Sequence, residues 1–198
     1  MQQSGVTVWF TGLSGAGKTT VSTRVYELLH ARGKAVERLD GDVVRQGLCQ
    51  DLGFSKEDRV KNIERVAFVA KLLTKHNVIT LAAFISPYQA SRSYARSEIG
   101  EFLEVYVSAP ISTLVERDVK GLYKKALAGE IKGLTGIDDP YEEPENADLV
   151  LRTDLMTIEE AASEVIRLLE KRGYLRPLDD KPNQNLGGAY VNTAAVYD

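Results

Sequence analysis

The stretch Gly12-Leu13-Ser14-Gly15-Ala16-Gly17-Lys18-Thr19 follows directly on the apolar run Val6-Thr7-Val8-Trp9-Phe10. A β-run entering a glycine-rich turn that opens a helix is the setting in which G-x-x-x-x-G-K-[ST] forms a phosphate loop. Gly12, Gly15 and Gly17 let the chain turn tightly and aim its N–H groups inward at an anion. The helix N-terminus behind them adds a partial charge of about +0.5. Lys18 can then reach the β- and γ-phosphates, and the Thr19 hydroxyl can ligate Mg²⁺. The stretch predicts a nucleoside triphosphate site at the end of the first strand.

Outward from the loop, strand and helix patterns alternate. Val21, Val25, Leu28 and Leu29 share one helical face, and Gly33 suits a helix stop. Residues 35–39 read as a short strand ending in the acidic turn Asp40-Gly41-Asp42. Residues 57–75 read as a helix whose buried stripe is Ile63, Val66, Ala67, Ala70 and Leu73. Residues 78–84 form a near-continuous apolar run, as a strand covered on both faces requires. A helix over 88–99, strands at 103–107 and 149–151, and an amphipathic helix over 158–171 complete the series. Ala161, Ala162, Val165, Ile166 and Leu169 are its inward residues. Alternating strands and helices predict an α/β fold, a doubly wound parallel sheet of the phosphate-loop NTPase type with helices on both faces. Ligands of such sheets gather at the carboxyl ends of the strands, where Gly12, Asp42, Ser86 and Ala109 fall. Residues 117–146 break the pattern, being polar and glycine-rich, and read as a mobile lid. From Arg176 onward no periodicity remains, so residues 1–175 are expected as the domain and 176–198 as an irregular tail.

Bulk composition narrows the partners. A net charge of −3 lacks the basic surplus of a dedicated nucleic-acid binder. No apolar run approaches the roughly 20 residues that cross a bilayer, and no signal-peptide pattern opens the chain. Cys49 is the single cysteine, so no internal disulfide forms, and a reducing cytoplasmic setting is expected. Cys49 reads as apolar filler, with an intermolecular redox role as the other reading. Trp9 reads as core, and His30 and His76 as helix-end surface residues. Tyr88, Tyr123 and Tyr141 carry no assignment from the sequence.

Other phosphate-loop classes fit less well. The N-K-x-D element of GTPases is missing, and no mid-chain hydrophobic strand ends in an acidic pair. Instead, an acid follows the second strand, and Arg45 lies one helical turn beyond Asp42. A carboxylate there can face both a metal and an attacking hydroxyl, and the arginine can receive an anionic acceptor. A solvated turn or helix cap is the alternative for Asp40 and Asp42.

The words around these residues narrow the choice. Leu39-Asp-Gly-Asp-Val-Val-Arg45, Leu52-Gly-Phe-Ser55, Asp58-Arg59, Asn62, Phe84-Ile-Ser-Pro-Tyr88, Arg117-Asp-Val-Lys-Gly-Leu-Tyr-Lys-Lys125 and Gly136-Ile-Asp-Asp-Pro-Tyr141 resemble the adenylylsulfate kinase family, in order, from about residue 5 to 172. The resemblance implies transfer of the ATP γ-phosphoryl group to the 3′-hydroxyl of adenosine 5′-phosphosulfate, a step of sulfate activation. It also implies Mg²⁺ and a homodimer. By the same resemblance Gly12, Ser14, Gly15, Ala16, Gly17, Lys18, Thr19, Thr20, Arg117 and Met156 serve ATP, and Thr19 and Asp42 the metal. Asp42 orients and deprotonates the hydroxyl, and Lys18 stabilises the transferred group. Phe54 stacks on the acceptor's adenine, while Arg45, Arg59 and Asn62 hold its phosphosulfate and ribose. Ile85, Ser86, Lys120, Gly133 and Leu134 complete the acceptor site.

Ser86 is assigned a phosphoserine intermediate in the family, yet no histidine or other base lies near it in sequence. It is therefore expected either to line the acceptor site or to take part covalently. The family's aromatic in the lid triplet is replaced here by Leu134, which predicts acceptor stacking weaker by about 0.5–1.5 kcal/mol. Two other readings stay open: a kinase of another small acceptor such as a nucleoside monophosphate, shikimate or gluconate, and a nucleotide-sensing protein without catalysis.

Overall fold

In the computed structural model, which describes residues 3–118 and 120–177, strand β1 (Val6–Thr11) is buried along its whole length. Its partners are β3 (Ile79–Ala83) and β4 (Phe102–Ser108), with β2 (Val36–Asp40) and β5 (Leu149–Arg152) at the edges. The order is β2-β3-β1-β4-β5 and every pair is parallel. The near-continuous apolar runs of β1, β3 and β4 follow from this, since central parallel strands are covered on both faces.

Helix α1 (Lys18–Ala31) packs against α7 (Ile158–Lys171), and α3 (Lys56–Lys75) against α4 (Gln89–Ile99). The two helix pairs meet two apolar clusters. One holds Val6, Val8, Phe10, Val21, Val25, Leu29, Val165 and Leu169; the other holds Trp9, Cys49, Val66, Ala70 and Phe102. Leu73 is only half-buried, and Thr74 closes the α3 stripe in its place. Capping explains where the long helices start. Ser55 accepts from Asp58 N–H ahead of α3, and Thr157 with Glu160 forms a capping box ahead of α7.

Three helices of six or seven residues escape the periodicity: α2 (Gly41–Gln46), α5 (Ile111–Arg117) and α6 (Leu122–Leu127). Each is too short to show a stripe. The acidic turn is thus the start of α2, and part of the polar stretch is helical. No helix among the described residues is long and apolar enough to cross a membrane. The irregular tail expected from Arg176 lies, from residue 178 on, outside the described residues.

Candidate active site

The phosphate loop joins β1 to α1 by a sharp path. Gly12 has φ +147°, and a Cβ there would sit 2.1 Å from the Val107 carbonyl oxygen. Only glycine lets the loop cross β4 so closely. Lys18 is buried and donates from Nζ to the carbonyls of Gly12 (2.9 Å) and Leu13 (2.8 Å). Burial, and secondarily the charge of Lys120, push its pKa down to about 8, opposed by Asp40 and Asp42. Taking an ammonium from water disfavours its charge, so this lysine gains most from a phosphate partner.

Ser14, Gly15, Gly17, Lys18, Thr19 and Thr20 border a cavity of about 500 Å³. Gly12 and Ala16 lie beneath it, buried. Arg117 and Met156 do not reach the cavity. Arg117 donates to the Thr153 carbonyl (2.7 Å), and the Thr153 hydroxyl donates to the Ala16 carbonyl (2.8 Å), which places Arg117 behind the loop. Met156 is half-buried and packs against the larger apolar cluster.

The acid beside Thr19 is Asp40. As the last residue of β2 and the N-cap of α2, its carboxylate accepts from Asp42 N–H (3.0 Å) and from the Thr19 hydroxyl (2.8 Å). The sequence pointed to Thr19 with Asp42. The strand end instead directs Asp40 inward, while Asp42, on the first turn of α2, is exposed and ion-paired with Lys120. Thr19 and Asp40 supply hard oxygens, and no group of three or more His, Cys, Asp or Glu among the described residues could hold an ion alone. That donor set suits Mg²⁺, which keeps waters and phosphate oxygens as its other ligands.

The far side of the same cavity carries Arg45, Phe54, Arg59, Asn62, Ile85 and Ser86. Phe54 is 71% exposed, and the Arg45 guanidinium lies over its ring at 4.3 Å while donating to the Gly53 carbonyl (2.9 Å). Arg59 donates to the carbonyls of Phe54 (2.9 Å) and Gly133 (2.6 Å) and to the Thr135 hydroxyl, and faces Asp139 at 3.5 Å. Asn62 is buried, and its Oδ1 has no hydrogen-bond partner among the described residues. A buried acceptor left unpaired costs about 1–3 kcal/mol, and Asn62 borders the cavity.

Two residues stand elsewhere than expected. Leu134 is buried in the larger apolar cluster, which Leu13 of the phosphate loop also joins, and does not border the cavity. It is therefore placed to pack rather than to cover an acceptor base. Gly133 also lies off the cavity, its N–H and that of Leu134 both bound by the Asp138 carboxylate at 2.6 Å. Ser86 does reach the cavity, but its hydroxyl is buried, donating to Thr11 Oγ1 (3.0 Å) and accepting from Trp9 Nε1–H (3.0 Å). No carboxylate or imidazole among the described residues hydrogen-bonds that hydroxyl.

Three contacts join the 121–141 stretch to the phosphate loop or the strand before it. The Tyr123 hydroxyl donates to the Ser14 carbonyl (2.9 Å), and burial pushes its pKa up to about 12. The Tyr141 hydroxyl meets Thr11 Oγ1 (3.0 Å). Gly136, at φ +91°, lies so close to Leu13 that a Cβ would sit 2.7 Å from Leu13 Cδ2. These tyrosines pair with residues more than a hundred positions away, and no local pattern signals such pairs.

A parallel sheet in this order, with a phosphate loop, a buried lysine and an acid at the second strand end, defines a phosphate-loop kinase fold. The adenylylsulphate kinase family model matches residues 4–152, and the chain belongs to that family of enzymes. The adenylyl-sulfate kinase of Halothermothrix orenii is 62% identical over 178 residues, 90% of this chain and 96% of that protein. The Mycobacterium tuberculosis APS kinase, solved in complex with AMPPNP and APS, aligns with TM-score 0.82 and 46% identity, covering 86% of this chain and 99% of that one. A gluconokinase from Sinorhizobium meliloti shares the fold alone, at TM-score 0.59 and 16% identity, covering 87% of this chain and 95% of that one.

Proposed function

We propose that this chain transfers the γ-phosphoryl group of ATP to the 3′-hydroxyl of adenosine 5′-phosphosulfate, releasing ADP and 3′-phosphoadenosine 5′-phosphosulfate. The observation that carries the reading is a single cavity with two differently built sides. One side offers Lys18, Thr19 and backbone N–H groups, which suit a triphosphate. The other offers an exposed ring, two arginines and the buried Asn62 oxygen, which suit a base and a doubly anionic group.

Phosphoryl transfer needs positioning and charge neutralisation more than covalent help. Lys18 meets the charge of the transferred group once phosphates replace the two carbonyls it now holds. Asp42, now paired with Lys120, orients the 3′-hydroxyl and accepts its proton, leaving Lys120 to face an acceptor oxygen. Thr19 Oγ1 and Asp40 would hold Mg²⁺, which would supply charge neutralisation on the phosphate oxygens. The bonds made by the Ser86 hydroxyl favour a direct transfer in which Ser86 shapes the wall of the acceptor site.

A homodimer and a cytoplasmic setting belong to the same reading. Phe68 and Leu72, exposed on α3, offer apolar surface to a second copy, and the single, buried Cys49 fits a reducing compartment. An acceptor screen with ATP and Mg²⁺ tests the activity. Saturable ADP release with adenosine 5′-phosphosulfate is expected; release with gluconate, shikimate or a nucleoside monophosphate alone would overturn the reading.

A further inference from the structure

Arg92 is a charged side chain only 3% exposed, and it lies outside the groups that face the cavity. Its guanidinium makes three bonds in three directions. Nε donates to Glu104 Oε1 on β4 (2.9 Å), Nη1 to the Ser86 carbonyl (2.9 Å), and Nη2 to the Glu142 carbonyl (2.7 Å). The plane also lies 5.9 Å from the Tyr141 ring. A planar fork serves these three acceptors from three separate nitrogens, whereas a lysine has all its donors on one.

What the fork holds is strained. Ser86 has φ +40°, a region that a non-glycine residue occupies at a cost of order 1–3 kcal/mol. Trp9, Thr11 and Arg92 bond it directly, and Tyr141 and Ile85 fix Thr11. Trp9 Nε1–H donates to Ser86 Oγ, Ser86 Oγ donates to Thr11 Oγ1, and Thr11 donates to the Ile85 carbonyl (2.8 Å). Because the Thr11 proton is spent on Ile85, Tyr141 is the donor in its 3.0 Å bond to Thr11. Arg92 takes the Ser86 carbonyl. Thr11 is the residue immediately before the phosphate loop, and Ile85 and Ser86 border the acceptor side of the cavity. The Glu142 backbone is tied to the same turn, donating to the Pro87 carbonyl (2.9 Å), while its side chain accepts from Gln89 N–H (2.6 Å).

We propose that Arg92 is a positioning residue for the phosphoryl transfer. Through Ser86 and Glu142 it fixes the acceptor wall and the end of the lid stretch at one spacing from the donor loop. Arg92 itself does not border the cavity. The inference rests on the kinase reading above, and the experiment separates the two.

Arg92→Lys keeps the charge and loses the fork, and Glu104→Gln loosens the fork from a side chain that does not border the cavity. Each variant is compared with the unaltered protein for acceptor KM, kcat, affinity for a non-hydrolysable ATP analogue, melting temperature, and the NMR resonance of the Trp9 indole N–H. That resonance is the only one of its kind in the chain. The expected result is a fall in kcat/KM for the acceptor of about 10–100-fold, as a displacement near 1 Å gives. ATP-analogue affinity should stay within about twofold, and the indole signal should shift. Unchanged acceptor kinetics in folded Arg92→Lys would overturn the proposal. So would ATP and acceptor affinities falling together in step with melting temperature. If the unaltered protein does not act on adenosine 5′-phosphosulfate, the functional reading fails on its own. An unmoved indole resonance in both variants then overturns the positioning role independently.

Discussion

Lys18 is buried with its pKa pushed down to about 8, and that predicts a measurable proton uptake when ATP binds. In the free protein at pH 8, about half the molecules carry the neutral amine. Phosphate oxygens favour the ammonium and return its pKa toward or above the ordinary 10.5. Binding should then take up about 0.5 proton at pH 8 and about 0.1 at pH 7, and the apparent affinity should fall toward tenfold per pH unit above 8. Titration calorimetry with a non-hydrolysable ATP analogue, in two buffers of different ionisation enthalpy and constant Mg²⁺, reads the uptake directly. Lys18→Arg is the reference, because an arginine stays charged throughout this range. Equal uptake in the two proteins, or an affinity flat between pH 7 and 9, would refute the reasoning. Linkage runs the other way for the free fold. The buried ammonium opposes folding below pH 8, and that handicap is relieved as pH rises from about 8 toward 10.5.

Two substitutions probe the rest of the site. Asp42→Ala should lower turnover at least about 10²-fold while the ATP analogue still binds, and near-normal turnover would remove Asp42 from the chemistry. Leu134→Phe should overpack the cluster that holds Leu134, costing about 1–3 kcal/mol and lowering the denaturation midpoint. A lower acceptor KM with unchanged stability would show instead that this position faces the acceptor.

The parts of the molecule written in repeated local spacing were legible in its sequence. The stripe of α7 and the apolar run of β3 each declare their element, and the phosphate loop declares its ligand class from eight consecutive residues. Short α2 and α6 have too few turns for a stripe, so the sequence points to Asp42 for the metal and gives Asp40 no such role. Only the N-cap geometry separates it from Asp42. Leu134 sits among glycines and charges, which hides that the chain folds it inward to the cluster it shares with Leu13. Arg92, Tyr123 and Tyr141 act through partners at least fifty positions away, except that Arg92 also meets Ser86 and Glu104 nearby. Tertiary pairing decides those roles.

Strand β1 feeds the phosphate loop and has both its neighbours much later in the chain: Val6 pairs with Ile79, and Thr7 with Phe102. While the polypeptide is being synthesised, Val-Thr-Val-Trp-Phe-Thr therefore emerges with both edges open and stays so until β3 and then β4 have left the ribosome. The segment is uncharged, rich in β-branched and aromatic residues, and free of proline, the composition that seeds intermolecular β-pairing. Centrality protects it once the sheet has closed. Before that, the segment best suited to the middle of the native sheet is an aggregation hazard of the nascent chain, and a bound chaperone guards an interval that slower synthesis would lengthen.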